Sequence, residues 1–148
     1  MTTGPSGKRI LVVDDDQQFA EVMHDFLTDE GYEVRVCLES DRAFALARSL
    51  SPDLVILDIR MPQLGGLGVL EHLGDDPRTR RIPVLMCSAV AAYEIPSWQE
   101  ALTRKGVPVL FKPFDLDHLL AQVTALIAGH HPIGADEGDA LADRATSK

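Results

Sequence analysis

Positive charge is scarce in this sequence. Fourteen Lys and Arg stand against 23 Asp and Glu, a formal net charge of -9. That balance argues against generic binding to nucleic acid or to an anionic membrane surface, because both reward basic patches. Cysteine is scarcer still: Cys37 and Cys87 are the only two, and they lack metal-type spacing. Such usage fits a reducing, cytoplasmic setting. No apolar run approaches the length needed to span a bilayer, and the opening MTTGPSGKR lacks the apolar stretch of a secretory signal. The chain also has no internal repeat, no helix-turn-helix pattern and no Gly-rich nucleotide loop.

What remains is a chain of 148 residues with 45% hydrophobic content, enough for one core with some length left for tails. Residues 1–7 are small and polar. Residues 129–148 have few large apolar side chains and several Gly and Asp. Both ends are expected to be disordered, leaving one domain over 8–128. His130-His131 in the second tail reads as a solvated pair rather than a metal site. Met1 and the polar end at Lys148 are expected to bound a complete chain that acts alone.

Between the tails, strand and helix patterns alternate. RILVV (9–13), YEVRVC (32–37), DLVIL (53–57), IPVLMC (82–87) and VPVLF (107–111) read as strands. The second alternates, with Tyr32, Val34 and Val36 on one face, as expected of a strand near a sheet edge. Helical spacing of apolar residues predicts helices over 16–30, 41–50, a short one near 66–73, 91–104 and 116–128, with Asp115 as N-cap of the last. Five strands alternating with five helices imply an α/β, doubly wound parallel sheet covered on both faces.

In such sheets, sites lie beyond the carboxyl ends of the strands, where the winding reverses. The first strand is followed by Asp14, Asp15 and Asp16, the third by Asp58, the fourth by Ser88 and the fifth by Lys112. The second strand delivers nothing comparable. Any one of these has a plain structural explanation: the acids could cap a helix and Lys112 could be a solvated strand end. Together they bring carboxylates, a hydroxyl and an ammonium to one rim. Clustered carboxylates repel unless a positive charge sits among them. Hard divalent cations such as Mg²⁺ take one or two carboxylates plus water and a phosphate oxygen. A carboxylate can also attack phosphorus to form an acyl phosphate. Asp58 is therefore read both as metal ligand and as nucleophile. Lys112 would neutralise the transferring group and Ser88 would donate a hydrogen bond to it.

Four segments, ILVVDDD, PDLVILDIRMPQLGG, VLMCSA and FKPF, occur in this order at the strand ends. Together they resemble the receiver domain of two-component response regulators over about residues 8–128, and the chain is similar to stand-alone, chemotaxis-regulator-like members. The resemblance implies a flavodoxin-like (βα)5 fold of strand order 2-1-3-4-5. It implies phosphorylation on aspartate by a histidine kinase or phosphotransfer protein, in a bacterial, cytoplasmic, non-enzymatic signalling protein that assists its own phosphorylation and dephosphorylation. By motif position Asp58 corresponds to the phospho-acceptor, and Asp14 and Asp15 to the acidic pair of a Mg²⁺ site. Arg60 would add its backbone carbonyl to the metal. Ser88 matches the conformational hydroxyl, Ala89 its small neighbour and Lys112 the phosphate-binding lysine, and Pro113 is expected to follow a cis peptide. The output is expected to be a protein partner at the face of helix four, strand five and helix five, with no nucleic acid or membrane contact, from a monomer or weak dimer.

Two features depart from the family pattern. Val109 stands where receivers often carry Tyr or Phe, the aromatic part of the switch. The stretch from Ser88 to Lys112 is also slightly long, with Pro96 and Pro108, and Tyr93 and Trp98 within it are expected to pack. Two other readings stand beside the receiver. A haloacid-dehalogenase-like phosphatase would use Asp14, Asp16, Ser88, Lys112, Asp115 and Asp117, but leaves Asp58 without a role and has no room for a cap. A receiver-fold binding module would dispense with phosphorylation, against the presence of the acids, Ser88 and Lys112. Cys37 and Cys87 are read as small buried hydrophobes.

Overall fold

The computed structural model describes residues 7–61, 63–89, 102, 104–112 and 114–129. Strands are β1 (Arg9–Val13), β2 (Glu33–Cys37), β3 (Leu54–Asp58), β4 (Val84–Ser88) and β5 (Val109–Phe111). Helices are α1 (Gln17–Asp29), α2 (Ser40–Leu50), α3 (Gly65–Asp75) and α4 (Leu116–Ile127). The strands form one parallel sheet in the order β2-β1-β3-β4-β5. The helix expected over 91–104 falls almost wholly outside the described residues; Leu102, at its end, is buried. Tyr93, Trp98, Pro113 and His130-His131 also lie outside them, as do residues 1–6 and 130–148.

The central strands are uninterrupted apolar runs because both of their faces are covered. Successive side chains go to opposite sides. Ile10, Val12, Leu54, Ile56, Leu85 and Leu110 meet Met23 and Leu27 of α1 and Leu119 and Val123 of α4. On the other face Leu11, Val13, Val55, Leu57 and Met86 meet Ala43 and Ala47 of α2 and Val69 and Leu73 of α3. β2 has one neighbour, and its alternating burial follows from that edge position. Tyr32, Val34 and Val36 do share one face of the sheet, against the α1 side.

Element ends differ from expectation where local bonding intervenes. β3 runs one residue further, through Asp58, and β4 through Ser88. β5 starts at Val109, two residues late, because Pro108 has no N–H to donate to β4, although its carbonyl still accepts from the Met86 N–H at 3.0 Å. α3 extends to Asp75, and the buried Thr79 hydroxyl donates to the Leu73 carbonyl at its C-terminal end at 2.7 Å, meeting an otherwise unpaired group.

The fold positions the site most tightly through Gly66. A Cβ there would lie 2.1 Å from the Asp58 carbonyl oxygen and 2.7 Å from Ile59 Cα. Only glycine lets the start of α3 approach the exit of β3 this closely, and Gly66 N–H donates to the Ile59 carbonyl at 3.0 Å.

Candidate functional site

The inner strands β1, β3 and β4 and the edge strand β5 end at one rim. Asp14 extends β1, its N–H bonded to the Cys37 carbonyl at 3.1 Å, and its side chain is buried. Its Oδ1 accepts from the Asp16 N–H at 2.9 Å, which fixes the turn into α1. Asp15 is exposed beside it. Asp16 is the N-cap of α1, accepting from the Phe19 N–H at 3.2 Å. Asp58, the last residue of β3, is 6% exposed. Ser88 is fully buried at the end of β4, and its carbonyl accepts from the Lys112 N–H at 2.7 Å, which ties the lysine to the sheet. Ala89, next along, is exposed.

These placements converge. Asp14, Asp15 and Asp58 each offer a carboxylate oxygen, and the three oxygens lie within 4.8 Å of one another. Lys112 Nζ donates to Asp14 Oδ2 at 2.8 Å and lies 3.8 Å from Asp58 Oδ1. Three carboxylates facing one ammonium leave an excess of negative charge in a largely buried space. Burial first, and the charge of Asp14 second, push the Asp58 carboxyl up to about 6, against the pull of Lys112. The Arg60 backbone N–H also donates to this carboxylate and favours its charged form, while the Arg60 side chain belongs to an exposed residue. Burial works against the Lys112 charge, but the hydrogen bond and the charge of Asp14, with Asp58 behind it, outweigh burial and raise its pKa. The ammonium is thus fixed as a cation.

Asp14, Asp15, Asp58, Ser88 and Lys112 are gathered at this rim as their strand-end positions predict. Val109 opens β5, half-buried and opposite Met86 in the register. The donor set of Asp14, Asp15 and Asp58 is all oxygen and anionic, which fits a small hard dication such as Mg²⁺. Asp115 accepts from the Asp117 N–H at 3.0 Å as N-cap of α4. Asp16 and Asp115 are therefore capping residues, while the phosphatase reading needs them at the reacting centre and gives Asp58 no part. Burial pushes the Cys87 thiol up to about 12, and it also raises that of Cys37. Both are buried free thiols, as the sequence suggests.

One neighbour of the site is not apparent from the sequence. Phe19, there only an apolar position of α1, places its ring centroid 4.0 Å from Lys112 Nζ. Its position in the first turn after the acidic run is the one available signal.

Comparison with known proteins agrees with this geometry. The family model for the response regulator receiver domain matches residues 10–124. The chain is 36% identical over 119 residues to the DNA-binding dual master transcriptional regulator RpaA of a Synechocystis strain, covering 80% of this chain and 48% of that protein. It is 36% identical over 118 residues to response regulator PleD of Caulobacter vibrioides, covering 80% of this chain and 26% of that one. The chain thus spans about half or less of the length of these relatives. Among solved structures, the Francisella response regulator 1452 receiver domain superposes with a TM-score of 0.72 at 27% identity, covering 82% of this chain and 98% of that one. A response regulator structure from Chloroflexus aurantiacus gives 0.72 at 29% identity, with the same coverage, 82% and 98%.

Proposed function

We propose, for a chain that belongs to the response regulator receiver domain family, a phosphorylation-dependent signalling switch whose phospho-acceptor is Asp58. One observation carries the assignment: Asp58 is a buried carboxylate at a strand end, with Lys112 Nζ 3.8 Å away and two further carboxylates gathered beside it.

The side chains divide the work. Asp58 supplies the nucleophilic oxygen. Lys112 is held charged by Asp14 and faces the oxygens of a phosphoryl group arriving on Asp58, where negative charge accumulates. Ser88 turns its hydroxyl toward the same group and draws the following residues, beginning with Ala89, with it. Asp14, Asp15 and Asp58 would hold Mg²⁺, with the Arg60 carbonyl as a further ligand. The ion would supply charge neutralisation of the phosphoryl oxygens.

The donor is a histidine kinase or phosphotransfer protein. The output is a change in protein contacts over the face that includes β5 and α4, by a chain that is itself no enzyme. Among the described residues no helix is long and apolar enough to cross a membrane. A cytoplasmic site of action accords with the two buried free thiols.

Radiolabelled acetyl phosphate tests the reading. Label is expected with Mg²⁺, to be lost on chelation and to be absent from Asp58→Asn. Undiminished labelling of that variant would reject Asp58 as acceptor. A wild-type chain that takes no label from any donor would favour a binding module that works without phosphorylation.

A further inference from the structure

Phe19 stands in the first turn of α1, where its N–H is bound by the Asp16 cap. Its ring meets that of Phe114 edge to face, with centroids 5.9 Å apart and planes at 81°. Phe114 follows Lys112 by two residues. The ring is therefore held by the segment that carries the acids and by the segment that carries the lysine. Lys112 Nζ lies 4.0 Å from the Phe19 ring centroid while also reaching Asp14 at 2.8 Å and Asp58 at 3.8 Å.

The physical value of a ring at this position is specific. Lys112 has a flexible four-carbon stem and its side chain is 19% exposed, so water competes for the ammonium. A further carboxylate would restrain it but would add to the repulsion already felt by Asp58. An aromatic face attracts a cation through its quadrupole, adds no net charge and imposes no directional hydrogen bond. The ammonium can then pivot between Asp14 and a phosphoryl group on Asp58 without leaving the ring.

We infer that Phe19 is a positioning residue for phosphoryl transfer, holding the Lys112 ammonium over Asp58. The inference rests on the function proposed above. With acetyl phosphate as donor, an Asp58 oxygen forms a bond to phosphorus while the bond from phosphorus to the acetate oxygen breaks. The electron pair leaves on acetate and no proton moves. Lys112 stabilises the oxygens of the group in flight, and it does so only if its ammonium is already in place.

The experiment compares Phe19→Leu, which keeps an apolar side chain but removes the ring, with Phe19→Tyr, which keeps the ring. In the full chain with Mg²⁺ and acetyl phosphate, Phe19→Leu is expected to slow labelling roughly three- to thirtyfold, the range a partly desolvated cation–ring contact spans. Phe19→Tyr is expected to remain within about twofold of wild type on the same basis, a retained ring face. In a Lys112→Ala background, Phe19→Leu should have no further effect, whereas a residue acting only on packing would slow both backgrounds alike. A second readout needs no phosphorylation: the NMR signals of the Lys112 methylene protons next to Nζ should be moved upfield by the ring, and this displacement should vanish in Phe19→Leu and persist in Phe19→Tyr. Its absence in the wild type, or equal slowing by Phe19→Leu with and without Lys112, would overturn the inference. A normal ring effect in a chain that accepts no label would instead reject the proposed function.

Discussion

Asp58→Asn should make the metal-free protein more stable, although it removes the residue on which the proposed function depends. Asp58 has its carboxyl raised from 3.8 to about 6, by burial and then by Asp14. A tenfold change in proton affinity between the folded and unfolded chain corresponds to about 1.36 kcal/mol of differential interaction. The charged form therefore costs the folded state on the order of 3 kcal/mol above pH 6. The side chain is only 8% exposed, so solvent screening removes little of this. Between the unfolded value near 3.8 and the folded value near 6, the folded state binds more protons than the unfolded state. Stability must then rise as pH falls through that window, and the penalty is absent below it. Asparagine keeps the shape and discards the charge.

Urea unfolding in chelator, from pH 8 down to pH 4, measures the effect. The asparagine variant should exceed wild type by about 2–3 kcal/mol at pH 8, and the gap should close toward pH 4. Mg²⁺ at a hundred times its Kd should recover about 2.7 kcal/mol for wild type alone and so erase most of the gap. If the variant is no more stable than wild type at pH 8 without metal, the carboxylate cluster does not carry the repulsion ascribed to it.

Other substitutions probe the remaining parts. Gly66→Ala would drive a methyl into the Asp58 carbonyl, so a loss of about 2 kcal/mol or more in thermal unfolding and slower labelling are expected. Lys112→Ala removes the nearest positive charge and should raise the Asp58 carboxyl above 6, visible in a carbon-detected NMR titration; an unchanged midpoint would show that the lysine does not act on this group. Ser88→Ala should still accept the phosphoryl group but transmit smaller amide chemical-shift changes to β5 and α4. Val109→Ala should cost about 1 kcal/mol of stability and leave those changes intact; the reverse outcome would place the switch at Val109.

The site is legible in the sequence because of how a doubly covered parallel sheet is written. Strands buried on both faces appear as unbroken apolar runs, so the polar residues that end them, Asp14, Asp58, Ser88 and Lys112, stand out against the pattern. Right-handed crossovers leave few topologies and put the strand ends at one rim, while the order 2-1-3-4-5 comes from the resemblance to receiver domains and is the order the sheet has. Contacts between residues far apart in the chain carry no such mark. Phe19 reads as one more apolar position on α1, and only the fold brings Lys112, 93 residues later, over its ring. Thr79 likewise gives no sequence sign that its hydroxyl will cap α3. The start of β5 differs from expectation because the apolar run VPVLF masks the effect of Pro108, which has no N–H to donate to β4. The cis peptide expected before Pro113 lies outside the described residues.

The central claim, that phosphorus is bonded to Asp58, is tested most directly by chemical trapping. Borohydride reduces an aspartyl phosphate to homoserine but leaves free carboxylates untouched. After treatment with acetyl phosphate and Mg²⁺ followed by borohydride, peptide mass mapping should place homoserine at position 58 and leave Asp14, Asp15 and Asp16 unchanged. Homoserine at position 14, with Asp58 intact, would contradict the account.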